Sequence, residues 1–268
     1  ELLKFKDLSK SREFLQKGLE LAETHGSISD QFYFRERTAM FENFSGNYIA
    51  ALRKYRVVLN SPDLTEDSII MMIHYGMGFA YQYILAYPQA HLQYQKVLEL
   101  SRQFNNPRIE GMVSGLIVSL YTQKGEFNKA LEQAQIAKPL LEKSDMYYAR
   151  AYLYKDMSHL FCELNQIDSA QHYAKRAAAT AQNYGYNSIA AEAYIALGTA
   201  LLKKRDFGNA VAATEEARKL NYRIKSPRLQ IPADLLLAEI SYELGFYDQA
   251  LVHAYEALAE AKKGQIIQ

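Results

Sequence analysis

The chain has 268 residues, with 31 Lys plus Arg against 30 Asp plus Glu and a net charge of +1. That length suffices for a large core or an elongated array, and the charge balance argues against a general polyanion binder, so neither nucleic acid nor an anionic membrane surface is expected as a partner. The single cysteine, Cys162, excludes an intrachain disulfide and any Cys-based zinc site and assigns no compartment.

In chain order the sequence returns to one short pattern. It reads KDLSKSR (Lys6–Arg12), GNYIAAL (Gly46–Leu52), AYPQAHL (Ala86–Leu92), GEFNKAL (Gly125–Leu131), NQIDSAQ (Asn165–Gln171), RDFGNAV (Arg205–Val211) and GFYDQAL (Gly245–Leu251). The small residue in each is Ser11, Ala51, Ala90, Ala130, Ala170, Ala210 or Ala250, and successive intervals are 40, 39, 40, 40, 40 and 40 residues. So regular a stride predicts a structural repeat.

After each anchor, small or apolar residues recur four and seven positions on, as in Ala170, Ala174 and Ala177, which predicts one face of a helix. Tyr55 and Tyr94 stand at the middle position of earlier units, and looser or differently angled packing is expected there. Upstream of the anchors lie partner helices carrying a small residue between bulky ones, as in Met77, Gly78, Tyr81 and in Leu197, Gly198, Leu201. Gly125-Glu126 and Asn165-Gln166 are expected to end one helix and cap the next. The uncharged run Ser68–Gln95 is long enough for a membrane span, but His74, Gln82, Pro88, Gln89 and His91 and the repeat register argue against one.

Tyr194, Leu197, Gly198, Leu201, Phe207, Ala210 and Ala217, in that order, resemble the tetratricopeptide repeat (TPR), and nearly the whole chain follows the same register. The resemblance implies an all-α, right-handed superhelical solenoid of antiparallel helix pairs: six full pairs preceded by a half-unit around Ser11, Leu15 and Gly18. The stride exceeds the family's common 34 residues, and long units resemble those of bacterial signalling proteins and kinesin-light-chain-type arrays. Residues 1–268 are expected to form a single solenoid cut from a longer protein, since the chain opens on Glu1. A lone second helix at the start should expose apolar surface.

No motif carries chemistry. The six histidines form no close ligand pair, no phosphate loop is present, and Gly76–Gly78 lacks the setting of a dinucleotide site. No enzyme activity, cofactor or metal is expected.

In the resembling family the first helices line the concave face. The candidate groove residues are therefore Tyr33, Met40, Asn43, Met72, Tyr75, Phe79, Gln82, Tyr83, Ser119, Tyr152, Lys155, His159, Glu192 and Thr199. The stretch from Tyr33 to Tyr83 is rich in Tyr and Met and suits an apolar peptide or helix, or else fills the inside of the superhelix. Lys155 and His159, one turn apart, suit a carboxylate or a solvated face. The expected function is a non-catalytic protein- or peptide-binding module, as the sensor or scaffold of a larger bacterial signalling protein of the diguanylate-cyclase or histidine-kinase type. The alternatives are a peptide-pheromone receptor coupled to transcription and a structural adaptor or assembly chaperone. The seams at either end admit a homodimer.

Overall fold

The structure is a computed structural model and describes residues 8–263. A lone helix, α1 (Leu8–His25), comes first. Six successive pairs follow: α2 (Ile28–Phe44) and α3 (Tyr48–Leu59), α4 (Asp67–Tyr83) and α5 (Tyr87–Gln103), α6 (Pro107–Gln123) and α7 (Phe127–Glu142), α8 (Tyr147–Glu163) and α9 (Ile167–Asn183), α10 (Asn187–Lys203) and α11 (Phe207–Ile224), α12 (Pro227–Glu243) and α13 (Tyr247–Lys263). No strand occurs among the described residues. The half-unit and the pairs thus fall where the stride places them, although Lys6 and Asp7 of the first motif lie outside the described residues. None of these helices is long and apolar enough to cross a membrane.

The helices gather into two compact units that divide after Leu120, near the end of α6. In the first, α2 packs on α1, α3 and α4, and α4 packs on α5. In the second, first helices meet first helices, α8 on α10 and α10 on α12, while each also packs on its own second helix. Each unit is a run of packed helix pairs, all-α in class. All seven anchors are buried. Around them the core of the first unit gathers Phe32, Leu52, Tyr55, Ile73 and Met77, and that of the second Leu197, Leu201, Leu236 and Ile240. Burying one such side chain contributes roughly 1.5–3 kcal/mol. The leading helix α1 exposes Phe14 and Leu21.

Packing at Tyr55 and Tyr94 is tight rather than loose. Both rings are wholly buried. A Cβ at Gly76 would collide with the Tyr55 hydroxyl, and one at Gly78 would lie 2.5 Å from the Tyr94 ring. The large residue on a second helix is thus matched by a missing side chain on α4, which keeps the helices close.

The turns inside the pairs share one geometry. Gly46, Leu85, Gly125, Asn165, Arg205 and Gly245 all have positive φ. The residue after each donates its N–H back to a carbonyl in the preceding helix, as Gln166 does to Phe161 at 2.8 Å and Asp206 to Leu201 at 2.9 Å. This is the Schellman closure, which satisfies end carbonyls through a left-handed residue. Glu126 and Gln166 make no side-chain cap, so they differ from the expected N-caps, whereas the Asp206 carboxylate accepts from the Asn209 N–H. Leu85 is a branched residue held at φ 60° and is largely exposed. Leu85→Gly is therefore expected to stabilise the protein by about 1 kcal/mol, read as a rise in the urea midpoint; a fall would show that the leucine contributes more by packing than it loses by strain.

Candidate functional site

The first helices carry side chains that their own pairing does not consume, and the two units treat them differently. In the first unit, Tyr33 is exposed on α2, and Met72, Tyr75 and Phe79 are half-buried on α4. Met40, Asn43 and Gln82 are buried, and the last two serve as ties. The Asn43 amide donates to the Gly76 carbonyl at 2.8 Å, joining α2 to α4. Gln82 accepts from the Tyr94 hydroxyl at 2.9 Å and donates to Ser119 Oγ at 3.3 Å, joining α4 to α5 and α6. Phe79 and Tyr83 pack with Tyr48 of α3: Tyr48 and Tyr83 stack at 5.0 Å, and Phe79 meets Tyr83 at 4.5 Å. That part of the aromatic stretch is engaged in packing, which leaves Tyr33, Met72 and Tyr75 as its accessible portion.

Beside them lies Glu36, 1% exposed, with Oε1 unpartnered. Among the described residues its ion partner is the adjacent Arg37, whose Nε stands 3.0 Å from Oε2. Neighbouring helix residues do not face each other, and the Arg37 guanidinium lies over the Tyr33 ring at 5.0 Å. Burial pushes the Glu36 carboxyl up to about 7, against the opposing pull of Arg37. Burial, with the nearby Glu36 carboxylate, pushes the Tyr75 hydroxyl up to about 12.

In the second unit, Lys155 of α8 is no solvated lysine. Its Nζ lies 3.0 Å from Asp156 Oδ1 and 3.2 Å from Glu192 Oε2 of α10. It also sits over the Tyr152 ring at 5.1 Å. The two carboxylates outweigh its desolvation and hold Lys155 protonated, with its pKa above the ordinary lysine value. His159 is exposed to solvent, with Lys155, Glu192, Glu163 and Lys203 close around it. That crowding, with the Lys155 charge beside it, holds its imidazole below the usual range and so neutral at pH 7. Thr199 lies on α10 and returns its hydroxyl to the Ile195 carbonyl at 3.0 Å. Farther along, Lys203 reaches the Cys162 carbonyl at 3.0 Å and the Glu163 carboxylate at 3.5 Å.

Sequence reasoning brought Lys155, His159 and Glu192 to one face but missed Asp156, Glu163 and Lys203, which complete the cluster, and Arg37 beside Glu36. One signal could have found the ties. Partners across a helix turn stand 12 residues apart: Glu23–Arg35, Glu42–Lys54, Asn43–Tyr55, Gln82–Tyr94, Glu142–Tyr154 and Gln182–Tyr194. Partners between successive first helices stand 37 apart, as Gln82–Ser119 and Lys155–Glu192 do. No group of His, Cys, Asp and Glu able to hold a metal occurs among the described residues.

Elsewhere in the first unit, α1, α2 and α3 line an open cleft of about 720 Å³ whose walls include Leu15, Phe41 and Val58. The Arg35–Glu23 and Lys54–Glu42 ion pairs, at 3.1 and 2.7 Å, bridge neighbouring helices at its edge.

No protein-family description matches the chain. A curated relative, outer dynein arm-docking complex subunit 4 of Homo sapiens, is 26% identical over 157 residues, which is 57% of this chain but only 22% of that protein. The chain therefore spans about a fifth of the length of the curated relatives it matches. Among solved structures, a Rap protein in complex with competence and sporulation factor superimposes with a TM-score of 0.71 at 17% identity, covering 97% of this chain and 80% of that one. A tetratricopeptide repeat protein from Parabacteroides merdae gives a TM-score of 0.62 at 14% identity, covering 94% and 91%. Repeat stride, paired helices and these likenesses agree: the chain has the tetratricopeptide-repeat fold, in a long-unit form.

Proposed function

We propose that this chain is a non-catalytic binding module that takes a protein or peptide on its first-helix face, with residues 1–268 acting as one functional array. The observation that carries the reading is the band of accessible Tyr33, Met72 and Tyr75 in the first unit. Large, adaptable side chains of this kind suit recognition of a partner, and their own helix pairs do not require them. The likeness to a docking-complex subunit and to a Rap protein solved with a bound factor supports the same reading. On the proposal, the chain works as the sensor or scaffold part of a larger signalling protein, and occupancy of the face shifts the packing between first helices. The Rap likeness also favours a second reading, a peptide receptor, which shares the same face.

The Tyr33→Ala/Met72→Ala pair tests the common element. Both side chains reach solvent, so the thermal midpoint is expected to fall by only a few degrees. Affinity for peptides selected against the wild-type chain is expected to drop at least tenfold. A folded double variant that binds those peptides as tightly as wild type would remove the first unit from the site.

A further inference from the structure

We infer that α13 is a self-association surface, on which a second copy of this chain packs its own α13 antiparallel about a two-fold axis. The inference is separate from the first-helix face and does not depend on it.

Within each unit a second helix packs on the first helix of the next pair, as α3 does on α4, α9 on α10 and α11 on α12. The register identifies side chains that make this seam. Arg56 of α3 donates to the Tyr81 hydroxyl of α4 at 2.8 Å, and Arg218 of α11 lies 3.5 Å from Asp234 of α12. Ala178 of α9, forty residues before Arg218, is buried. In α13 the same two columns hold Tyr255 and Leu258. No helix follows α13 among the described residues, and both side chains are exposed, Tyr255 by 66%. Where α13 has Tyr255, the five earlier pairs have Arg56, Gln95, Gln135, Lys175 and Glu215. The outer face of a terminal repeat is ordinarily polar. An aromatic ring placed at this position only in the last helix marks a face that is covered.

The pattern of α13 selects the occupant. Asp248, Leu251, Tyr255, Leu258 and Lys262 follow at intervals of three, four, three and four residues, the spacing of a two-helix seam. Three apolar residues fill the middle of this stripe, an anion stands at one end and a cation at the other. All five are exposed, and neither Asp248 nor Lys262 makes an ion pair among the described residues. Elsewhere on the helix Glu256 faces His253 and Glu260 faces Lys263, each at 3.3 Å.

Such a stripe complements itself only when reversed. Antiparallel packing brings the Asp248 end of each copy beside the Lys262 end of the other, with Tyr255 near the middle. Parallel packing would set like charges together at both ends, which is unfavourable. The antiparallel contact uses the same patch on both copies and closes at two chains. One 17-residue helix from each copy makes a small interface, so the dimer is reversible.

Sedimentation equilibrium of the whole chain over a range of concentrations tests this. A reversible dimer of twice the 30.6 kDa chain is expected. Tyr255→Glu, at an exposed position, is expected to raise the dissociation constant roughly tenfold or more with an unchanged circular dichroism spectrum. Asp248→Lys and Lys262→Asp are each expected to raise it several-fold, and the double exchange to bring it back near the wild-type value. A wild-type chain that stays monomeric at the highest concentration would overturn the inference and leave the stripe to a further helix or another protein. So would a dimer that Tyr255→Glu leaves intact, or a double exchange that associates no better than the single ones.

Discussion

Replacing Glu36 by Gln is expected to make the protein more stable at pH 8 and to change little at pH 4.5. The carboxyl is 1% exposed and burial raises its pKa to about 7, well above its ordinary value of 4.5. Between those pH values the folded chain keeps the proton that the unfolded chain releases. The stabilising contribution of the protonated acid is full below pH 4.5, falls as pH rises, and is gone above about pH 7. The difference across that window is about 3 kcal/mol. Glutamine fits the same space and cannot ionise, so it avoids the loss. It also leaves Arg37 without its anion, but that contact lacks hydrogen-bond geometry and Arg37 keeps the Tyr33 ring. The net expectation is a gain of roughly 2 kcal/mol at pH 8, read from urea unfolding at both pH values. An equal gain at pH 4.5 and pH 8 would mean that ionisation of Glu36 is not its source.

The second large effect lies in the other unit. Lys155→Met is expected to cost about 3 kcal/mol at pH 7, since removing one member of a buried ion pair leaves the other uncompensated. The group left behind is Asp156, 7% exposed, with Glu192 beside it. Adding Asp156→Asn should recover much of the loss. Lys155→Met also removes the cation that helps hold the His159 imidazole low, so the His159 titration, followed by NMR of the ring, is expected to move up. A stable Lys155→Met chain with an unmoved His159 titration would show that the lysine is not seated between these carboxylates.

The repeat was open to reading because a helix pair can close only over small residues, and Ala130, Ala170 and Ala210 must therefore recur with the period of the pair. The interlocks were not. Nothing local marks Gly76 as the residue that meets Tyr55, because the match joins helices of successive pairs and depends on how each is rotated. The candidate site was half legible for the same reason. Register places Asn43 and Gln82 on the first-helix face, but their burial follows from the Gly76 carbonyl, Tyr94 and Ser119, which only the folded chain brings to them. Lys155 shows the limit most clearly. Its charge is visible in the sequence, whereas its neutralisation requires α10 to lie against α8.

The glycines of α4 make this helix a bespoke part within a repetitive molecule. Gly76 answers a tyrosine in the pair before it and Gly78 answers one in its own pair. A cassette exchange that installed α10 and α11 in place of α4 and α5 would keep the stride and retain a glycine at the second position through Gly198, yet it would drive the methyl of Ala196 toward Tyr55. The modules look interchangeable, but the tyrosine–glycine keying fixes their order along the chain.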